Sequence, residues 1–211
     1  MQKVINRYRE RLKEFGIGPA AIETPKNRQS LRYSIFTKAI KEDGFSLLDF
    51  GCGFGYLYEF LKEKYNNFEY TGADIVSEFI DHNKQKFPEN NFILLKNSPY
   101  DIKETYDYII IAGPFAVIYG DSEKEHFEYI KSTLKYLLEN TNICMVLDFM
   151  HDKVDFKQED AYHQNVMEFY RFVKEELSPR CIIDESYMPY EFAVTIYKDN
   201  RILRPQNTYR D

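Results

Sequence analysis

Leu47-Leu48-Asp49-Phe50-Gly51-Cys52-Gly53-Phe54-Gly55 decides the fold. The first four residues read as a buried strand, and the glycines as a tight turn that opens a helix. Glycine at three alternate positions removes every Cβ that would hold a ligand off the backbone, and it tolerates the positive φ of a chain reversal. The first N–H groups of the following helix are unpaired and face the crevice. An ordinary tight turn shares this composition. The order of the pieces that follow separates the two readings.

Downstream, strands alternate with helices. Phe68–Ala73 reads as a strand ending at Asp74, and Ser77–Phe87 as a helix stopped by Pro88. Phe92–Leu95 is a third strand. Tyr108–Ala112 is a fourth, apolar on both faces and therefore central. Phe127, Ile130, Leu134, Leu137 and Leu138 recur at helical spacing, and Ile143–Phe149 is a fifth strand. A helix through Val166, Phe169, Tyr170, Val173 and Leu177 stops at Ser178-Pro179. Cys181–Ser186 and Phe192–Lys198 flank a short Met188-Pro189-Tyr190 turn, too close together for a parallel crossover, so they pair antiparallel. Upstream, Val4, Ile5, Tyr8, Leu12 and Phe15 mark a first helix. A polar connector (Glu23 to Arg28) leads to a second near Gln29–Lys41. The pattern predicts an α/β fold: a doubly wound, mostly parallel seven-stranded sheet with a C-terminal antiparallel hairpin. One domain over 1–211 is expected, with 1–45 as a helical cap and 46–211 as the Rossmann-like core.

In open α/β sheets the ligand lies beyond the carboxyl ends of the strands, where strand order reverses. Four groups fall at strand ends: the glycine turn, Asp74, Asn97-Ser98, and Ala112-Gly113-Pro114-Phe115. Asp74 stands about 20 residues past the glycines, where an acid can accept both ribose hydroxyls. A dinucleotide site would show G-x-G-x-x-G. Here the spacing is G-x-G-x-G, with Tyr56 at the expected glycine position, which suits a nucleoside carrying an amino-acid arm better than one carrying a pyrophosphate.

Leu47–Gly55, Asp74, Asn97 and Tyr106–Gly113 resemble the ordered motifs of class I S-adenosylmethionine-dependent methyltransferases. A narrower resemblance is to a bacterial, small-molecule-type branch of that superfamily, which brings no settled substrate. It rests on Gln29 with Arg32-Tyr33, on Ala112–Phe115, and on Leu177-Ser178-Pro179-Arg180 followed by Tyr187-Met188-Pro189-Tyr190-Glu191-Phe192. The resemblance implies a Rossmann-like methyltransferase fold, S-adenosyl-L-methionine as cofactor and S-adenosyl-L-homocysteine as product. Gly51 and Gly53 would approach the methionyl part and adenosine, with Asp49 and Cys52 beside them. Asp74 would bind the ribose, Asn97 would meet the adenine edge, and the backbone at Ala112 would line the methionine arm, with Ile75, Ser98, Gly113 and Phe115 as further cofactor-binding residues. Asn97 departs from the more usual aspartate, so its contact with the adenine amino group would carry no charge. Arg32, just ahead of the first strand, is a candidate partner for the cofactor carboxylate, because a guanidinium grips a carboxylate bidentately.

Other residues carry weaker signals. Asp74 alone also has a plainer reading, as a solvated loop acid or a helix N-cap. Asn97-Ser98-Pro99-Tyr100 resembles the N-P-P-Y box of amino-methylating nucleic-acid enzymes, but it follows the third strand instead of the fourth, so it reads as a loop entry. His126, His151 and His163 are isolated. His151 follows the fifth strand on the ligand side and is the one candidate for a general base. Tyr190-Glu191 either borders a substrate pocket or is a plain hairpin turn. Phe54, Tyr56 and Phe115 either pack or turn their π faces toward a sulfonium.

The 211 residues are enough for one sizeable core. A net charge of −6 provides no field for a phosphate backbone, so nucleic acid is not the expected partner and a small-molecule methyl acceptor is. Three widely spaced cysteines fit reduced thiols and a cytoplasmic setting, not a disulfide frame. No two-His or Asp/Asp/Asn grouping signals a metal. Apolar runs are strand-sized, so no membrane span or signal peptide is expected. RNA or protein methylation, non-catalytic cofactor binding and, most weakly, a dehydrogenase are the rival readings. Oligomeric state leaves no mark in the sequence.

Overall fold

A computed structural model describes residues 1–23, 28–158 and 160–198. In chain order the strands are β1 (Phe45–Phe50), β2 (Phe68–Asp74), β3 (Asn91–Leu94), β4 (Tyr106–Ile111), β5 (Thr141–His151), β6 (His163–Gln164), β7 (Cys181–Asp184) and β8 (Glu191–Tyr197). The α-helices are α1 (Gln2–Phe15), α2 (Gln29–Phe36), α3 (Tyr56–Lys64), α4 (Ser77–Lys86), α5 (Glu123–Glu139) and α6 (Val166–Phe172). The sheet runs β3-β2-β1-β4-β5-β8-β7. β1 pairs in parallel with β2 on one side and β4 on the other, so strand order reverses between β1 and β4. β8 lies antiparallel between β5 and β7, closing the sheet as the C-terminal hairpin predicts.

Alternation along the central strands divides the core between two layers of helices. Leu48, Ile109 and Met145 face α5 and α6, packing on Ile130, Leu134 and Phe169. Leu47, Tyr108 and Val146 face the other way, onto α2 and α3 through Tyr33, Phe36 and Leu57. Because both faces are covered, these strands read as continuous apolar runs. Aromatic side chains fill much of the second layer: the Tyr58 ring lies 4.9 Å from that of Phe87 and 5.0 Å from that of Tyr70.

Local chemistry sets the helix ends. Ser122 accepts from the Glu125 N–H at 3.2 Å and starts α5, while Asn165 accepts from the Glu168 N–H at 2.9 Å and starts α6. The second helix, predicted to reach Lys41, ends at Phe36 and tightens into a 3₁₀ turn over Thr37–Ala39. There the Thr37 hydroxyl donates to the Tyr33 carbonyl at 2.8 Å, a side-chain bond that competes with continued helix. An eighth strand, β6, pairs with the end of β5 and has no signal in the sequence. Most of the polar connector predicted over Glu23 to Arg28 lies outside the described residues. α1 crosses the sheet's carboxyl end, where Tyr8 and Leu12 pack with Ala21, Phe54 and Phe79. Among the described residues no helix is long and apolar enough to cross a membrane.

Candidate active site

The glycine turn is bonded to the neighbouring strand before any ligand is considered. Gly51 and Cys52 both donate their N–H groups to the Ala73 carbonyl, at 2.7 and 3.0 Å. Gly51 has φ +88°, and a Cβ there would lie 2.9 Å from Pro114, so the turn and the loop after β4 touch through a gap that only glycine leaves. At Gly53 an added Cβ would sit 3.6 Å from Ile22 and project into the cleft both residues line.

Asp74 ties this turn to the next helix. Its Oδ2 accepts from the Gly53 N–H and its Oδ1 from the Val76 N–H, each at 2.9 Å. Burial lifts its carboxyl to about 6, against the pull of these backbone bonds. Asp49, at the tip of β1, accepts from the Tyr70 hydroxyl at 2.7 Å. Burial lifts it to about 7, with Tyr70 opposing the rise and the charge of Asp74 adding to it. Two buried carboxylates thus stand at the strand ends, both costly to ionise unless a cation arrives.

The opposite wall is built around Asp148, on the buried part of β5. Its Oδ1 accepts from the Gly113 N–H at 3.0 Å, and its Oδ2 from the Nε of Arg32 at 3.0 Å and from the same guanidinium's terminal NH2 group. Glu191, the first residue of β8, lies 3.6 Å from the Arg32 Nε. Burial alone would lower the Arg32 guanidinium, but the charges of Asp148 and Glu191 outweigh it and hold it up. His126 braces the loop after β4 from behind. One ring nitrogen bonds the Phe115 carbonyl at 3.0 Å and the other accepts from the Tyr119 N–H at 2.9 Å, which fixes the neutral Nε2–H form. Tyr119 and Tyr129 stack at 4.7 Å, and Tyr129 shares a hydroxyl contact with Ser98 at 3.3 Å.

These elements enclose a cavity of about 270 Å³, near the lower end for small-molecule sites. Of the sequence-predicted residues, Arg32, Asp49, Gly51, Cys52, Gly53, Asp74, Ile75, Ser98, Ala112, Gly113 and Phe115 line it. Asn97 does not. The Asp101 carboxylate takes the N–H groups of Lys96 and Asn97, both at 2.6 Å, and this turn leaves the Asn97 side chain exposed while Ser98 faces inward. His151 is also off the wall. Its ring sits between Asp152 at 2.9 Å and Glu185 at 3.2 Å, and Nδ1 accepts from the Lys153 N–H, so the structure sets no cavity-facing base there. Of the three aromatics near the crevice, Tyr56 and Phe115 line it, and Phe54 packs beneath α1.

Sequence reading missed Tyr8, Tyr119, Tyr129 and Asp148. Asp148 had a signal: it is a lone acid inside the apolar run Ile143–Phe149, at the ligand end of a strand. The tyrosines had none, because each comes from a helix or loop whose path the sheet pattern does not fix.

A glycine turn at the switch point, an acid at the tip of β2 and small residues after β4 meet around one cavity. Residues 48–143 match the family model described as a methyltransferase domain. Over 161 residues the chain is 24% identical to Rv1506c of Mycobacterium tuberculosis (strain ATCC 25618 / H37Rv), provisionally named a methyltransferase; the match covers 74% of this chain and 95% of that protein. Magnesium protoporphyrin IX methyltransferase (ChlM) from Synechocystis PCC 6803, solved with S-adenosylhomocysteine, shares the fold with TM-score 0.63 at 13% identity, over 93% of this chain and 95% of that one. The plantazolicin methyltransferase BamL, solved with a triazolic desmethylPZN analog and S-adenosylhomocysteine, does so with TM-score 0.62 at 14% identity, over 94% and 98%. The chain is thus similar in sequence over part of its length, and in fold over most of it, to S-adenosylmethionine-dependent methyltransferases.

Proposed function

We propose that this enzyme transfers a methyl group from S-adenosylmethionine to a small-molecule acceptor by direct displacement. The observation that carries the reading is the Asp74 carboxylate bound to the Gly53 N–H beside the bare glycine turn, inside one cavity at the β1/β4 reversal. The residues present fit the cofactor. Each Asp74 oxygen keeps a lone pair for a ribose hydroxyl, and the glycine turn leaves the room that a Cβ would fill. Asp49 is placed to offset the methionyl ammonium. Ser98, facing inward where Asn97 does not, would meet the adenine, with Cys52, Ile75 and Phe115 around the adenosine. Arg32 spends two donors on Asp148 and keeps others for the cofactor carboxylate.

When bound, S-adenosylmethionine supplies a methyl group already activated on sulfonium sulfur. The chain's task is therefore alignment and exclusion of water, and alignment alone supplies ~7–11 kcal/mol of a bimolecular barrier. The N-terminal segment, through Tyr8, Ile22 and Gln29, covers the cavity and takes the acceptor side. Five carboxylates and two guanidinium groups line the cavity, which disfavours a phosphate backbone and supports a small acceptor over RNA. The same reading keeps the cytoplasmic setting, supported by cysteines that are all free.

Thermal-shift and calorimetric titration with S-adenosylhomocysteine test it. At a hundred times Kd the ligand adds about 2.7 kcal/mol, roughly 5–10 °C in Tm for a chain of this size. Asp74→Ala is expected to abolish most of that shift. A full shift in the variant would remove the ribose assignment, and no shift in the native chain would remove the reading.

A further inference from the structure

Among the described residues, every acid on the cavity wall accepts a hydrogen bond except one. Glu23 holds Arg7 at 2.8 Å, Asp49 accepts from Tyr70, Asp74 caps the glycine turn, and Asp148 holds Arg32 and Gly113. The Glu191 side chain accepts no hydrogen bond. Its Oε2 is buried and unpartnered, and the Arg32 Nε, 3.6 Å away, already donates to Asp148. A carboxylate oxygen buried without a donor is expensive, on the order of 1–3 kcal/mol or more for a charged group. Such an atom on a cavity wall calls for a donor from the ligand.

The register explains why Glu191 faces the site. Met150 pairs with Glu191 and Asp148 with Ala193, so Asp148, Met150 and Glu191 project from one face of the β5–β8 ribbon. All three line the cavity that also holds Gly51 and Asp74.

We infer that Glu191 receives the nucleophile of the methyl acceptor, and that this acceptor presents a proton-bearing nitrogen or oxygen, an amine or a hydroxyl. The inference rests on the methyl-transfer reading and names the substrate class of the same site. Glu191 takes the proton released as the acceptor's lone pair closes on the methyl carbon. The electron pair of the broken carbon–sulfur bond stays on sulfur, leaving a neutral thioether, and the proton passes from Glu191 to solvent. Burial and the neighbouring Asp148 raise the Glu191 carboxyl, against the pull of Arg32 and Arg28, which makes it a stronger base than an exposed glutamate.

The test uses the full chain saturated with S-adenosylhomocysteine and three probes on one framework: benzylamine, benzyl alcohol and benzoate, titrated by calorimetry at pH 8. The amine or the alcohol is expected to bind at least tenfold tighter than benzoate, and which of them does so names the acceptor class. E191Q, the same shape without the charge, is expected to remove the preference, and E191D to restore part of it. Equal affinities for the three, benzoate binding tightest, or a preference that survives E191Q at native Tm would each overturn the inference. Saturation with S-adenosylhomocysteine is measured first, so a failure of the methyl-donor reading shows itself separately.

Discussion

Asp49 and Asp74 show how single residues trade stability for binding. Each carboxyl is raised in the folded chain, to about 7 and about 6, from an ordinary value of 3.8. A raised acid favours the protonated folded state, so its contribution is present below about pH 4 and is lost as pH rises toward 7. Asp49→Asn keeps an acceptor for the Tyr70 hydroxyl and removes the charge. The variant is expected to be more stable than the native chain at pH 8, by on the order of 2 kcal/mol, and no more stable at pH 4. Denaturant titrations at the two pH values check this. The same substitution should weaken S-adenosylhomocysteine binding at pH 8 if Asp49 faces the ligand's ammonium as proposed. A variant that gained nothing at pH 8 would mean that Asp49 is not held in a charge-hostile place.

At the scale of elements, strands and helices were legible where burial is two-sided or strictly periodic, and illegible where tertiary contacts decide. Leu47-Leu48 in β1 and Ile109-Ile110-Ile111 in β4 declare a central parallel sheet, and the apolar stripe of α5 declares that helix. β6 is two residues long and exists because His163 and Gln164 meet Met150 and His151. The backbone half of the candidate site was legible because glycine, alanine and an acid at strand ends have local causes. The rest was legible only at Glu191, which the sequence offered either as a pocket border or as part of a plain hairpin turn, whereas Tyr8 and Tyr119 converge from α1 and a loop. The loop between β4 and α5 depends on His126 in the same non-local way. Burial lowers that imidazole, while its bond to Phe115 and the charge of Glu123 pull it back up. A lowered histidine gives stability that is present above its unfolded value near 6.5 and is lost as pH falls through its folded value. Native chain and His126→Phe should therefore differ by about 1–3 kcal/mol at pH 7.5, the worth of two buried hydrogen bonds, and by less at pH 5. A gap that stays constant with pH would show that the imidazole packs there without needing its neutral form.

For the molecule as a whole, the consequence of this topology is that the sheet supplies only part of the site. β1, β2 and β4 present backbone and acids at their ends, and α1 and α2 bring Tyr8, Arg32 and Tyr33 over them from outside the sheet. α2 is anchored in the second core layer through Tyr33 and Phe36 and tied to Asp148 through Arg32, whereas α1 is held more lightly, by contacts that include Arg9 on Glu78 at 2.6 Å and Tyr8 against Phe79 with ring centres 6.0 Å apart. Elements held by few buried contacts open more readily than the core they cover, so a ligand gripped between them should tighten the cover more than the sheet. Hydrogen exchange with and without S-adenosylhomocysteine reads this directly. Amides of α1 and α2, along with those of the glycine turn, are expected to exchange at least tenfold slower in the complex, while α5, packed on the far layer through Ile130 and Leu134, keeps its rate. Protection confined to the glycine turn and the start of α4 would mean that the cofactor is held by the sheet alone and that Arg32 on α2 does not grip it. Uniform slowing across α5 as well would mean that the ligand stabilises the fold globally and that the cover has no separate motion to lose.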